Sequence, residues 1–112
     1  MIPSLQRPAV TAVISTHNRR DELETTLTGL RQLGYPLLQV VVVDNASGDG
    51  TATLLRSDFP RVTLIPHSDN RPMRGYNMGF DSVRTPYVLV LDDDSCPQRG
   101  AIERMVEILE DH

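Results

Sequence analysis

The sequence predicts an α/β protein, a Rossmann-like parallel sheet of about four strands with helices on both faces. Three observations carry that expectation. Short β-branched runs alternate with stretches of helical period, in the succession β-α-β-α-β-α-β-α. One run holds four unbroken valines, Val40 to Val43, a composition suited to a strand buried on both faces, as in a parallel sheet. The 112 residues have the length of one domain and can bury about two-thirds of the surface that the unfolded chain exposes.

The first strand is expected over Ala9 to Ser15. Leu23, Leu27, Leu30 and Leu33 then recur at steps of four and three, one stripe of a helix that Gly34 and Pro36 end. Gln39 to Asp44 reads as the second strand. Asp49-Gly50-Thr51 makes a turn in which Thr51 or Asp49 caps a short helix carrying Leu54 and Leu55. Val62 to Ile65 is the third strand, and a third helix is expected near Tyr76, Phe80 and Val83. Tyr87 to Leu91 is the fourth strand. The last helix follows Pro97, with Ile102, Met105, Val106 and Leu109 on one side and Glu103, Glu107 and Glu110 on the other.

Composition removes several functions. The 11 basic residues are all arginine and face 15 acidic ones, for a net charge of −4. An acidic balance speaks against nucleic acid as a partner, since such modules carry a basic face. Without lysine there is no Schiff-base, Walker-type or general-base lysine. The single Cys96 can form neither an internal disulfide nor a multi-thiolate zinc site. No apolar run approaches the ~20 residues that span a membrane. Met1 to Pro8 lacks the charged-then-apolar layout of a signal peptide, so the expected setting is cytoplasmic.

In open parallel sheets, ligands lie beyond the carboxyl ends of the strands. The first strand runs into Ser15-Thr16-His17-Asn18-Arg19-Arg20, the second into Asp44-Asn45-Ala46-Ser47-Gly48-Asp49, and the fourth into Asp92-Asp93-Asp94-Ser95. Three adjacent carboxylates repel one another and are stabilised by a nearby cation. Hard oxygens suit Mg²⁺ or Mn²⁺, and Mg²⁺ characteristically takes one or two carboxylates together with phosphate oxygens and water. The same triplet also suits an acidic helix-entry loop with one Asp as a cap. Asp44 either turns a strand into a helix or accepts a hydrogen bond from a base N–H. His17, beside Asn18, is a loop residue or a flat ring on which a base stacks. Arg71 and Arg74 are solvated or reach a phosphate, His67 reads as a strand-end residue, and Cys96 as a small packing residue or free thiol.

Taken together, Val13-Ile14-Ser15-Thr16-His17-Asn18-Arg19, Val41-Val42-Val43-Asp44-Asn45-Ala46-Ser47-Gly48-Asp49-Gly50-Thr51, Asn77-Met78-Gly79 and Val90-Leu91-Asp92-Asp93-Asp94 with Pro97 resemble the start of a family-2 glycosyltransferase with the GT-A fold. The resemblance runs from about Ala9 to the end. It implies the nucleotide-binding half of that fold and a nucleotide-sugar donor, with inverting transfer to an acceptor hydroxyl. By resemblance, Thr16, His17, Asn18, Asp44, Asn77, Asp92 and Asp93 would hold the nucleotide, with Asp44 on the base and His17 where a stacking tyrosine is common. Asp92 and Asp94 would hold Mg²⁺ or Mn²⁺ on the diphosphate. Pro72 departs from a glycine usual in the family. The family's catalytic base lies well downstream of the Asp-x-Asp element, and the resemblance puts it beyond His112. Residues 1–112 are therefore expected to be a domain truncated after that element, with bare surface inviting self-association.

Rival readings fit less well. A receiver domain places its acidic pair after the first strand and uses a lysine. A haloacid-dehalogenase-like phosphatase opens on its Asp-x-Asp motif, which here stands near the end. A dinucleotide-binding domain shows G-x-G-x-x-G after the first strand, where this chain has Thr16-His17-Asn18. A nucleotide-binding or regulatory fragment without catalysis is the non-enzymatic alternative.

Overall fold

The computed structural model describes residues 7–111, so most of the Met1-to-Pro8 segment, and His112 at the other end, lie outside the described residues. The elements follow in the order β1 (Val10–Thr16), α1 (Arg20–Arg31), β2 (Leu38–Asn45), α2 (Thr51–Asp58), β3 (Thr63–His67), α3 (Pro72–Asp81), β4 (Tyr87–Leu91) and α4 (Ala101–Glu110). All pairings are parallel and the strand order is β3-β2-β1-β4. β1 sits one residue later than the sequence suggests. β2 gains Leu38 and Asn45, and β3 is displaced to its carboxyl end because Pro66 and His67 pair with Asp44 and Asn45. Pro66 is tolerated there because β3 is an edge strand.

Alternation along β1 sorts its side chains to two faces. Ala12 and Ile14 join Val42, Leu91, Leu23, Leu27, Leu30, Leu55 and Phe59 in one buried cluster under α1 and α2. Val10, Tyr35, Ile102 and Val106 continue that face under α4. On the opposite face α3 lies against β1, β2 and β3, and it approaches through two glycines one turn apart. A Cβ on Gly79 would fall 2.4 Å from Val13 Cγ1, and one on Gly75 would fall 2.5 Å from Ser15 Oγ. A side chain at either position forces the helix or the side chains beneath it to shift.

Several local expectations change. Leu33 lies beyond α1, whose chain turns through Gly34 at φ +78°. Val83 lies beyond α3, which starts earlier than Tyr76, on Pro72, a residue suited to the first helical turn. Gly50, left-handed at φ +88°, occupies the capping position of α2, yet Asp49 supplies the cap: its Oδ1 accepts the Thr51 N–H at 3.2 Å and the Thr51 hydroxyl at 2.5 Å. Its Oδ2 accepts the Arg20 N–H at the start of α1, at 3.0 Å. On α4 only half of the predicted stripe is covered: Ile102 and Val106 are buried, whereas Met105 and Leu109 are exposed. Among the described residues the sheet stops at β4, so beyond Tyr87 and Leu89 there is nothing beneath that side of the helix. Val88 and Val90, on the α3 side of this edge strand, are about half exposed, at 47% and 51%. Among the described residues no helix is long and apolar enough to cross a membrane.

Candidate functional site

The carboxyl ends of β1 and β4 are neighbours, because Ile14 pairs with Leu91. The residues that follow therefore meet, although they lie far apart in sequence. Thr16 Oγ1 donates to Asp93 Oδ2 at 2.8 Å in a buried bond. Arg19 Nε donates to Asp93 Oδ1 at 2.9 Å, and its Nη2 donates to Asp94 Oδ2 at 3.1 Å. Thr26, on α1, donates its hydroxyl to the Asp93 carbonyl at 2.9 Å. Both Asp93 oxygens are thus occupied from β1 and the loop after it, which permits a carboxylate to stand only 9% exposed. The Asp93 charge, above all, holds the Arg19 guanidinium even more firmly protonated than usual.

The loops after β1 and β2 are clasped to each other. The Asn18 N–H donates to Ser47 Oγ at 2.9 Å, and the Gly48 N–H donates to Asn18 Oδ1 at 2.7 Å. His17 Nδ1 lies 2.5 Å from the Asn45 carbonyl oxygen. A carbonyl only accepts, so Nδ1 carries the proton, and in the neutral ring Nε2 accepts from Asn18 Nδ2 at 3.1 Å. Asn18 and Ala46 are left-handed, at φ +53° and +58°, a conformation that costs a non-glycine residue roughly 1–2 kcal/mol. The clasp sets that cost against three hydrogen bonds. Asp44 is buried at the base of the loop, and its Oδ1 accepts the Ser47 N–H at 3.2 Å.

Below this rim, Asn45 is 1% exposed and ties three strands together. Its Nδ2 donates to Ser15 Oγ at 2.6 Å and to the Thr16 carbonyl at 3.0 Å, and its Oδ1 faces His67 Nδ1 at 2.9 Å. His67 is the strand-end residue that the sequence suggests.

The structure brings Thr16, His17, Asn18, Asp44, Asp93 and Asp94 to one rim. Asp92 is exposed and lies toward Tyr76, whose phenol is pushed up first by burial and then by the Asp92 charge. Tyr76 itself donates to the Leu91 carbonyl at 2.9 Å. Asn77 is exposed and lies two residues from each sheet-packed glycine, on the far side of α3. Arg71 and Arg74 are exposed, with Arg71 Nε 3.6 Å from the Asp69 carboxylate. Cys96 is an exposed free thiol whose Sγ lies against Gly29 of α1. The catalytic base expected beyond His112 lies outside the described residues, which end at Asp111. Sequence reasoning missed Arg19 and Thr26 as site residues. For Arg19 the signal available was an arginine directly after one strand and an acidic triplet after another.

No group of three or more His, Cys, Asp or Glu side chains forms a ready-made metal cage among the described residues. The exposed carboxylates of Asp92 and Asp94 instead suit an open site of hard oxygens that a diphosphate and water complete. A cleft of about 670 Å³ lies at the other end of the sheet, lined by Tyr35, Leu38, Phe59 and Val62 among others, and contains none of this rim.

Comparison with known proteins agrees with the geometry. The model of the family described as "Glycosyl transferase family 2" matches residues 11–112. The succinoglycan biosynthesis protein ExoO of Rhizobium meliloti is 35% identical over 103 residues, covering 89% of this chain and 29% of its own. A poly-beta-1,6-N-acetyl-D-glucosamine synthase of Staphylococcus aureus is 28% identical over 104 residues, covering 88% and 24%. Among solved structures, the mannosyltransferase PcManGT from Pyrobaculum calidifontis, in complex with GDP-Man and Mn²⁺, superposes with a TM-score of 0.84 at 29% identity, covering 95% of this chain and 33% of that one. S. aureus TarS 1-349 shares the fold, with a TM-score of 0.84 at 18% identity, over 93% and 33%. The chain spans about a third or less of the length of these relatives. The four-stranded parallel sheet with four helices is that of GT-A glycosyltransferases.

Proposed function

Because the chain belongs to glycosyl transferase family 2, we propose that the strand-end rim is the donor side of a glycosyltransferase site. It takes a nucleoside-diphosphate sugar together with Mg²⁺ or Mn²⁺, for inverting transfer to an acceptor hydroxyl. The observation that carries this reading is the clamp of Thr16 and Arg19 on Asp93. It fixes the acidic loop after β4 beside the clasped loops after β1 and β2. The likeness to a mannosyltransferase bound to GDP-Man and Mn²⁺ supports it.

In this reading Asp44, with one oxygen engaged by Ser47, accepts from the base N–H. The His17 ring, held in plane by Asn45 and Asn18, provides a face for the base. Thr16 and Asn18 shape the cradle and Asp93 faces the ribose, whereas Asn77, on the far side of α3, is left out of the donor cradle. Asp94 and Asp92 supply carboxylate oxygens to the cation, which when bound neutralises charge on the departing diphosphate. No described residue is assigned the part of the base that deprotonates the acceptor, so donor binding is the role proposed for residues 1–112. Among the described residues β4 is an outer strand, and its edge, with Val88 and Val90, is the surface through which a second copy pairs.

Calorimetric titration of the 112-residue chain with UDP and with GDP in the presence of Mn²⁺ tests the reading. Binding that falls at least tenfold in Asp94→Ala and Asp44→Ala supports it. Equal binding by the parent and both variants, or none by a folded parent, overturns it.

A further inference from the structure

We propose that Arg19 is a positioning residue that also acts as the resident counterion of Asp94 in the ligand-free protein. The cation that arrives with a diphosphate takes this carboxylate over, so cation and diphosphate bind cooperatively. The proposal rests on the donor-site reading above and adds to it a second role for Arg19, beyond its bond to Asp93.

The two prongs of the guanidinium are held very differently. Nε bonds Asp93, a side chain only 12% exposed whose other oxygen is fixed by buried Thr16. Nη2 bonds Asp94, a side chain 55% exposed. The first prong is anchored in the fold and the second ends in solvent, where an ion pair is worth little and exchanges readily. Asp94 is therefore pre-aimed by Arg19 without being committed to it.

A divalent cation approaching Asp94 alone meets a guanidinium already neutralising that carboxylate, and the two positive charges repel. A diphosphate brings several negative charges and removes the conflict, giving a freed Nη2 a phosphate oxygen to bond. The fork matters here, because two separate donors must reach two different carboxylates. A lysine ammonium supplies the charge without that geometry.

The test is Mn²⁺ binding itself, followed by electron paramagnetic resonance of free Mn²⁺ at fixed ionic strength, with and without UDP. The proteins are the parent, Arg19→Gln, Arg19→Lys and Asp94→Asn. Removing one positive charge a few ångströms from the cation, at a dielectric close to that of water, is expected to tighten binding of Mn²⁺ alone about tenfold in Arg19→Gln. UDP should then enhance Mn²⁺ binding less in that variant than in the parent, while Arg19→Lys stays near the parent for Mn²⁺ alone.

Binding that depends on Asp94 but is equal or weaker in Arg19→Gln overturns the counterion role and leaves the donor site standing. Absence of Asp94-dependent Mn²⁺ binding in every protein, with or without UDP, overturns the donor site and this proposal together. A measurement on the parent guards against a variant that fails to fold. The Arg19 Nε–H resonance should survive addition of Mg²⁺ and UDP, because that prong stays on Asp93, and its loss refutes the anchored fork.

Discussion

Replacing Thr16 by Val isolates the bond that anchors the acidic loop. The two side chains have nearly the same shape, Thr16 is 2% exposed, and its hydroxyl makes a 2.8 Å bond to Asp93. A hydrogen bond to a charged group contributes about 1.5–3 kcal/mol, and its loss leaves a buried carboxylate oxygen without a partner. The added methyl sits among buried side chains and returns up to about 0.8 kcal/mol. Arg19 still holds the other oxygen, so the carboxylate keeps its countercharge. The expected net loss is about 2 kcal/mol, read as a shift in the midpoint of urea unfolding at pH 7. A double-mutant cycle with Asp93→Asn sharpens the reading, because the Thr16→Val loss should shrink by about 1 kcal/mol or more once the carboxylate is neutral. A loss below about 0.5 kcal/mol, in the range of ordinary surface substitutions, would refute the anchor. So would an equal loss in both backgrounds.

Gly79→Ala and Gly29→Ala should have opposite signs in urea unfolding, although each gains about 1 kcal/mol of helix propensity. At Gly79 the new Cβ meets fully buried Val13 at 2.4 Å, and overpacking of about 1–3 kcal/mol outweighs the gain. At Gly29 it meets the tip of exposed Cys96, which can rotate away, so a stabilised Gly79→Ala or a destabilised Gly29→Ala contradicts the packing account. Asp49→Ala should cost about 1 kcal/mol at pH 7, in line with the loss of a capping side chain. Burial raises the Asp49 carboxyl, but bonds from the Thr51 hydroxyl, the Arg20 N–H and the Thr51 N–H outweigh it and leave it below its ordinary value. Its contribution is therefore full above the unfolded value of about 3.9 and fades as pH falls through the lower folded one. Parent and variant should converge in acid unfolding there, and a gap that does not shrink as pH falls below the unfolded value refutes the cap. Finally, the open β4 edge predicts that the chain self-associates as its concentration rises in size-exclusion chromatography, and that Val90→Lys suppresses this. A parent that elutes as a monomer throughout is the contrary result.

The two clasped loops explain why the rim is preformed. Asn18 and Ala46 are both left-handed, a conformation that asparagine tolerates and alanine disfavours, and each is pinned by a partner on the opposite loop or the preceding strand. Strain of this kind persists only where surrounding bonds determine the backbone. The His17 ring, Asp44 and the Asp93 loop are thus ordered before any ligand arrives, which lowers the entropy that binding must overcome. A flat, rigid base is the kind of ligand such a cradle suits.

What the sequence made legible is what periodicity and strand-end position control. Unbroken valines marked β2 as a central strand, the leucine stripe marked α1, and the rule for parallel sheets directed attention to Thr16, Asp44 and the aspartate triplet. What stayed hidden depends on which strands are neighbours. Arg19 and Asp93 are 74 residues apart and meet only because the order β3-β2-β1-β4 places β4 beside β1. No local pattern records that adjacency, so the arginine read as one more charge in a polar loop. The α4 stripe failed for the related reason that amphipathic spacing shows which residues can be buried and not how wide the sheet beneath them is. The division of labour within the triplet was hidden as well. Where β4 ends and the chain turns, Asp92 lies toward Tyr76 and Asp93 is turned toward Thr16, Arg19 and α1. Three identical carboxylates thereby meet three environments: exposed beside a phenol, buried and doubly bonded, and exposed on the open end of a guanidinium. Only the last combines access to solvent with a cation that can be displaced, and for that reason Asp94 is the carboxylate whose metal binding should depend most on an accompanying diphosphate.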